Sequence, residues 1–458
     1  MKSISFDEAL EQVRKAEKLN KDDIAHLQAE RLQELVAYVR KNSAVYEEKY
    51  KNLPDNPTLE DLPPVTKQEL CVQMENWICD PDFSNTELTS FIQDHGTTGM
   101  LFMDKYSVST TSGTTGEPLR MLRDARHVNV NGALMQSRFN ESALFKNASG
   151  LADPNVHVAS VIATGGHHAA YTAFQKREKM LAAQGIVNTM LLLPIDTPIE
   201  ESVRKLNEFQ PKLLTGYPSA LQVLANEQHA KRLNISPEII VCSAEQLTDE
   251  TRLLLAERFS CPVGNVFCST EGGEIALLCD HGKMHLNSDW IIVEPVDENN
   301  NPVPEGKMSQ AVLVTNLANA VQPIIRYRVD DSVILHNEPC ECGQPFPFIE
   351  ILGRTNDIPT FTNGKKQISL TPLLFVALTL HVEGLAISQF VQTGPENLIL
   401  KVQYSEEANA ESVNKELHKL INDTLASNGL ANVTVDIRNE APARAERGRK
   451  MKYFVNAF

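Results

Sequence analysis

Five short apolar runs dominate the middle of the chain: VHVASVIA at 156–163, NTMLLLPI at 188–195, KLLTG at 212–216, EIIVCSA at 238–244 and VGNVF at 263–267. Each is rich in Val, Ile or Leu, and stretches of helical character fill the gaps. Consecutive apolar positions over so few residues describe strands covered on both faces, and their alternation with helices calls for crossovers in a largely parallel sheet. The expected fold class is α/β. In such sheets ligands settle beyond the carboxyl ends of the strands, so the segments that follow these runs are the first place to look for a site.

The flanking sequence has a different texture. Ile24, Leu27, Leu32, Leu35, Val36 and Val39 recur at helical spacing, which predicts an amphipathic helix from Asn20 to about Tyr50. Four prolines between Pro54 and Val65 then force an extended course, and helix should resume near Lys67. After Glu294 the polar cluster DENNNPVPEG followed by alternating apolar residues predicts an antiparallel hairpin. Past Gly353 come LILKVQY, an amphipathic stretch and VTVDIRN, a small α+β pattern. The expected organisation is a large body over 1–352, mainly parallel strands with helices plus an antiparallel subdomain, and a small α+β domain over 353–458.

The 458 residues are 42% apolar, enough for more than one hydrophobic core. A net charge of −16 argues against a nucleic-acid partner, which needs clustered Lys and Arg. The N-terminal MKSISFDEALEQVRKAEK alternates charge instead of building an apolar leader, and no run reaches the roughly 18 apolar residues of a membrane span. A cytoplasmic protein without a membrane partner is expected, and a homodimer is left open. Eight cysteines are too sparse for a disulfide scaffold and read as thiols or metal ligands.

Ser109 to Arg120, STTSGTTGEPLR, packs six hydroxyl residues and two glycines into positions 109–116. Such a loop has little apolar side chain to bury, but offers hydroxyls and closely approachable backbone N–H groups that suit phosphate oxygens. It lacks the Gly-Lys-Ser/Thr ending of a Walker loop. TSGTTGEP instead resembles the phosphate-binding loop of the adenylate-forming enzymes, among them acyl-CoA synthetases. Four later segments follow in that superfamily's order: SAEQL at 243–247, STEGG at 269–273, RYRVDD at 326–331 and GRTND at 353–357. Leu119 directly after the loop proline, the segment VRKNSAVYEEKY, TLEDLPPVTKQEL and CECGQ resemble the phenylacetate-CoA ligase branch in particular.

That resemblance implies an acid–thiol ligase using ATP, Mg²⁺ and CoA, with an aryl carboxylate as the small-molecule partner. It implies nucleotide contacts at Ser112, Gly113, Thr114, Thr115, Gly116, Ser243, Ala244, Glu245, Ser269, Asp331 and Arg354. Thr270 would meet the α-phosphate, Glu271 would hold Mg²⁺, and Asp357 would be the hinge of the rotating domain, with the loop at 362–366 swung toward CoA. The catalytic lysine falls in ERGRKMKYFVN, where alignment from Gly448 selects Arg449 and alignment from the aromatic end selects Lys450; Lys450 is the preferred reading, and Lys452 fits a solvated basic run. Delivery of the acyl group to a carrier protein or an amine shares the first half-reaction. A non-catalytic nucleotide binder is the remaining alternative, prompted by the irregular tail and by Asp330, but the intact Glu271 and Asp331 favour an enzyme.

Two further groups complete the reading. GGHHAAYTAF at 165–174 and GYPSAL at 216–221 each follow a predicted strand, and in the family the first contributes to the acyl pocket; His167, His168, Tyr171, Gly216 and Tyr217 are the pocket candidates, with Phe174 equally suited to packing. Cys279 and His285, together with Cys340 and Cys342, supply three thiols and an imidazole, a full tetrahedral zinc shell, with His281 as a substitute ligand. A closed shell makes such a zinc structural and speaks against a zinc hydrolase. The remaining five cysteines show no ligand spacing.

Overall fold

The computed structural model describes residues 1–111, 118–145, 153–195, 197–354, 359–364, 366–370, 374–375, 378–379, 382–405, 408–443 and 453–458. A three-stranded sheet comes first, from β1 (Leu101–Phe102), β2 (Tyr106–Thr110) and β3 (Arg120–Arg123). The five apolar runs then form β4 (Val158–Ile162), β5 (Met190–Pro194), β6 (Leu213–Gly216), β7 (Ile239–Ser243) and β8 (Val263–Ser269). All neighbouring pairs among them are parallel, as expected. β4 is buried at every position, which is why its sequence carries no alternation.

The sheet runs on through β9 (Gly273–Leu278), β10 (Met284–Leu286), β14 (Asp331–His336) and β15 (Phe348–Arg354), all antiparallel, in the spatial order β14-β15-β10-β9-β8-β7-β6-β4-β5. Helices Ala169–Ala183, Ile199–Phe209, Pro218–His229 and Asp249–Phe259 connect the parallel strands. Because β5 lies on one side of β4 and β6 on the other, the winding reverses between β4 and β6. The crevice of a doubly wound sheet opens at such a reversal, and here it is flanked by the segments after Ile162 and Gly216.

The predicted hairpin is β11 (Ile291–Val296) with β12 (Ala311–Asn316), joined by β13 (Tyr327–Val329). Its turn is built by Asp297, whose side chain accepts the N–H groups of Asn299 and Asn301 at 2.8 Å each. The proline-rich stretch is not extended throughout as expected: it turns at 59–61, where the Asp61 N–H donates to the Thr58 carbonyl and the Leu62 N–H to the Leu59 carbonyl at 3.2 Å each, before Val65 bridges to Tyr327. The N-terminal helix differs from expectation: it spans Lys21–Asn42, breaks at Ser43, and continues as Ala44–Tyr50. Ser43 is extended and its hydroxyl donates to the Asn76 carbonyl at 3.1 Å, a tertiary bond that no local pattern announces. These helices share one core with Trp77, Leu119, Met121, Leu122, Trp290 and Tyr327.

The C-terminal elements close a core of their own. β16 (Thr360–Asn363) and β17 (Lys366–Ser369) form a hairpin, and β18 (Leu385–Gly394), β19 (Asn397–Tyr404), β20 (Thr434–Arg438) and β21 (Phe454–Asn456) form a sheet in the order β20-β19-β18-β21. Helix Ala410–Ser427 presents Val413, Leu417, Ile421 and Leu425, one per turn, to Phe361, Phe375, Phe390 and Phe454. β15 itself continues past residue 352, through Gly353 to Arg354, paired with β14.

Candidate active site

The hydroxyl-rich loop lies outside the described residues from Ser112 to Glu117, which includes Gly113, Thr114, Thr115 and Gly116. Its neck is fixed. Thr110 stands opposite Arg120 in the β2–β3 ladder, the Thr111 N–H donates to the Leu119 carbonyl at 2.9 Å, and the Leu119 N–H returns a bond to Thr111 Oγ1 at 2.9 Å. The Thr110 N–H donates to the His167 carbonyl at 2.7 Å, which ties the loop to the segment after β4. Leu119 is fully buried beside Met121 and Leu122. A lysine could not be accommodated there without burying its charge, which accounts for the apolar residue after the loop proline.

Arg123, the last residue of β3, carries the hairpin to a second motif: its Nη2 donates to the Thr270 carbonyl at 2.8 Å. Sequence reasoning missed this arginine, although its place at the end of the strand leaving the loop was a usable signal. Burial lowers its pKa, with Glu274, Cys268 and Glu271 acting in the opposite sense. The Thr270–Glu271 turn is shaped by the Gly272 N–H donating to Ser269 Oγ at 2.7 Å and by Gly273 at φ +75°, where an added Cβ would lie 2.5 Å from Asn131 Nδ2. The Asn316 amide donates to the Gly272 carbonyl at 2.9 Å.

Glu271 is half-buried and its Oε1 accepts the Tyr327 hydroxyl at 3.5 Å. Burial, and then the Glu271 charge, raises the Tyr327 phenol well above its usual range, so the glutamate is held by a neutral donor. Tyr327 comes from RYRVDD, so two separate segments meet here. Asp331 opens β14 directly opposite Arg354 in the ladder. Arg328 faces the hairpin turn instead, bonded to Asn300 Oδ1 and paired with Asp330 at 3.6 Å.

At the reversal of the sheet, Tyr171, Phe174, Tyr217 and Ala244 pack into one cluster with Ile162 and Ala163. Three of the predicted segments thus meet in one packed cluster. The Ala163 N–H donates to the Tyr217 hydroxyl at 3.4 Å, joining the segments that follow the paired strands β4 and β6. Gly216 permits this approach, since a Cβ would come within 2.8 Å of the Val161 carbonyl. Ala244 adopts φ +69°, an uncommon conformation for a residue with a side chain, and Glu245 accepts the Ser219 N–H at 3.1 Å at the start of helix Pro218–His229. The next residue, Gln246, donates to the Ile351 carbonyl of β15 at 2.5 Å.

The two histidines part company. His167 is 1% exposed, sits 3.2 Å from Thr97 Oγ1 through Nε2 and packs on Phe91; burial lowers its pKa. It is a packed support behind the loop neck. His168 is half-exposed, precedes helix Ala169–Ala183 and bridges to Thr110.

No family model matches the chain. Among curated proteins it is 23% identical over 448 residues to Protein CapK of Staphylococcus aureus, covering 95% of this chain and 90% of that one. It is 26% identical over 359 residues to phenylacetate-coenzyme A ligase of Thermus thermophilus, covering 75% and 73%. Among solved structures it superposes on 2-hydroxyisobutyryl-CoA ligase in a postadenylation state with 2-HIB-AMP, with a TM-score of 0.69 at 19% identity over 97% of this chain and 91% of that chain. Its fold is that of the adenylate-forming CoA ligases. Against the same ligase in the thioesterification state, with 2-HIB-AMP and CoA, the TM-score is 0.56 over the same 97% of this chain and 91% of that chain.

Within this adenylate-forming fold, Lys450 with its alternative Arg449, Lys452 and the hinge candidate Asp357 lie outside the described residues. The first described residue after that tail, Tyr453, donates its hydroxyl to Gln222 Oε1 at 3.3 Å, on helix Pro218–His229 that begins beside Tyr217. Cys279, His285, Cys340 and Cys342 do converge, with their ligand atoms within 4.8 Å of one another. His281 does not join them; its Nδ1 lies 3.5 Å from Glu341. Among the described residues no helix is long and apolar enough to cross a membrane.

Proposed function

We propose that the chain activates a carboxylic acid with ATP as an acyl-adenylate and passes the acyl group to the thiol of CoA, releasing pyrophosphate and then AMP. The observation that carries this reading is the Arg123–Thr270 bond of 2.8 Å, which places the hairpin bearing the hydroxyl-rich loop against the Thr270–Glu271 turn. A triphosphate cradled by Ser112 to Gly116 then has Thr270 and Glu271 beside it. Asp331 and Arg354, opposite each other in the ladder, and Ser243 to Glu245 fit the ribose and adenine. The acid fits the crevice lined by Tyr171 and Tyr217, whose aromatic faces favour an aryl or compact branched carboxylate.

A carboxylate is a weak nucleophile and the α-phosphate is crowded with charge, so the reaction needs preorganised donors and cations where negative charge grows. Thr114, Thr115 and Thr270 supply hydroxyls, and Lys450 supplies a cation. Glu271, a half-buried carboxylate held by a neutral phenol, suits Mg²⁺, which when bound neutralises triphosphate charge. Thiolysis needs different groups beside the same carbonyl, so the small domain turns about Asp357 and brings the loop at 362–366 toward CoA. The better superposition on the postadenylation state than on the thioesterification state supports reading this conformation as one that precedes thiolysis. CoA is preferred over a carrier protein or amine because CoA ligases recur among the similar structures.

The test is ATP–pyrophosphate exchange over benzoic, phenylacetic, cinnamic, 2-hydroxyisobutyric and short aliphatic acids, followed by a comparison of CoA, pantetheinyl carrier and amines as acceptors. Acid-dependent exchange with AMP released on addition of CoA is expected. Nucleotide binding with no exchange for any acid would favour the non-catalytic alternative.

A further inference from the structure

We infer that Cys279, His285, Cys340 and Cys342 hold one zinc ion in a closed S₃N shell that staples the β9–β10 hairpin to the loop entering β15. This inference stands apart from the ligase reading. Cys279 Sγ and Cys340 Sγ are 3.9 Å apart, and Cys342 Sγ is 3.2 Å from His285 Nε2. Two thiolates on one tetrahedral zinc at ~2.3 Å lie about 3.8 Å apart, and a thiolate and an imidazole nitrogen roughly 3.5 Å apart. A disulfide needs sulfurs at about 2.05 Å, and none of the three cysteines is in one.

The surroundings are arranged as a metal centre requires. His285 Nδ1 lies 2.8 Å from the Phe346 carbonyl, the bond that assigns its proton to Nδ1 and leaves the Nε2 lone pair facing the sulfurs. Each pair of ligands, Cys279 with His285 and Cys340 with Cys342, flanks a tight turn. In the first, the Cys279 N–H donates to the Lys283 carbonyl at 2.9 Å around Gly282 at φ +73°; in the second, the Gly343 N–H donates to the Cys340 carbonyl at 3.0 Å with Gly343 at φ +79°. The ring of His285 also packs edge-on against Phe348. Three soft thiolates and one imidazole select zinc over magnesium or calcium, and four protein ligands leave no position for substrate, so the ion is structural. β9 begins two residues beyond Glu271 and β15 ends at Arg354. The staple therefore fixes the strands that lead away from the Thr-Glu turn and toward residue 353.

The experiment is elemental analysis of tag-free protein purified without chelator, with cobalt substitution as a second readout. About one zinc per chain is expected, retained in Cys71→Ser and lost in Cys340→Ser and Cys342→Ser. If those variants fail to fold, the cobalt form of the unmodified chain still decides: intense tetrahedral bands with thiolate-to-cobalt charge transfer support the site. Absence of zinc, a cobalt spectrum without charge transfer, or a Cys279–Cys340 disulfide in non-reduced peptide maps would overturn it. Activity is not among these readouts, so failure here and failure of the ligase reading are distinguishable.

Discussion

Leu119 and Arg123 divide between them what one position does in many phosphate loops. Leu119 turns inward and seals the neck of the hairpin, while Arg123, four residues on, brings a cation to the Thr270 carbonyl beside Glu271. Arg123→Ala should lower the rate of pyrophosphate exchange by roughly 100-fold, the cost of a small misplacement of the turn it positions. Its urea midpoint, measured alongside, should fall modestly; Arg123→Lys should recover part of the rate. An unchanged rate in Arg123→Ala would make the arginine a packing residue only. Glu271→Gln should abolish most magnesium-dependent exchange while the fold, followed by circular dichroism, stays intact. The hydroxyl string and the cysteine spacing were legible from residue types because each concentrates one chemistry in a few positions, whereas the Thr-Glu pair was legible only through its resemblance to a family motif. Arg123 was passed over: its place at the end of the strand leaving the loop marked it, but the turn it reaches is known only from the fold.

At the scale of elements, the helix Ala125–Leu134 shows how the site is supported from below. Its first turn is capped by Asp124, which accepts the His127 N–H at 2.8 Å, and His127 lies buried between Asn131 and Asn316, the latter bonded to Gly272. Burial, then Arg123, pushes the His127 pKa down to about 3. The folded state therefore prefers the neutral ring, whereas the unfolded chain binds a proton near the usual 6.5. This contribution to stability is complete above pH 6.5 and is lost as pH falls toward 3. Urea unfolding between pH 7 and 5 should show the parent chain losing up to ~1.4 kcal/mol per pH unit more than His127→Gln; parallel profiles would contradict the assignment. β4 was readable because double burial erases alternation; β5, at the sheet edge, departs from the expectation, with four of its five positions only partly buried. The interruption at Ser43 was not readable, because the residues around it keep helical spacing and only the bond to Asn76 breaks it.

For the whole molecule, the decisive feature is the reversal of winding between β4 and β6, which gathers Tyr171, Tyr217 and Ala244 from three distant segments. Motif order along the chain anticipated that gathering, since each motif follows a strand and all parallel strands end on one side. What order alone did not supply is the disposition of the C-terminal part, where Tyr453 rests on Gln222 beside the crevice. With Lys450 as the proposed cation of the first half-reaction, Lys450→Ala should cripple pyrophosphate exchange while leaving thioester formation from supplied acyl-adenylate largely intact. Equal loss of both half-reactions would remove Lys450 from its assigned step. The most direct measurement is a crystal structure of the chain with ATP and magnesium. The triphosphate should lie between residues 112–117 and Glu271, with adenine at Ser243 to Glu245; a nucleotide bound elsewhere, or those two segments too far apart to share it, would contradict the account.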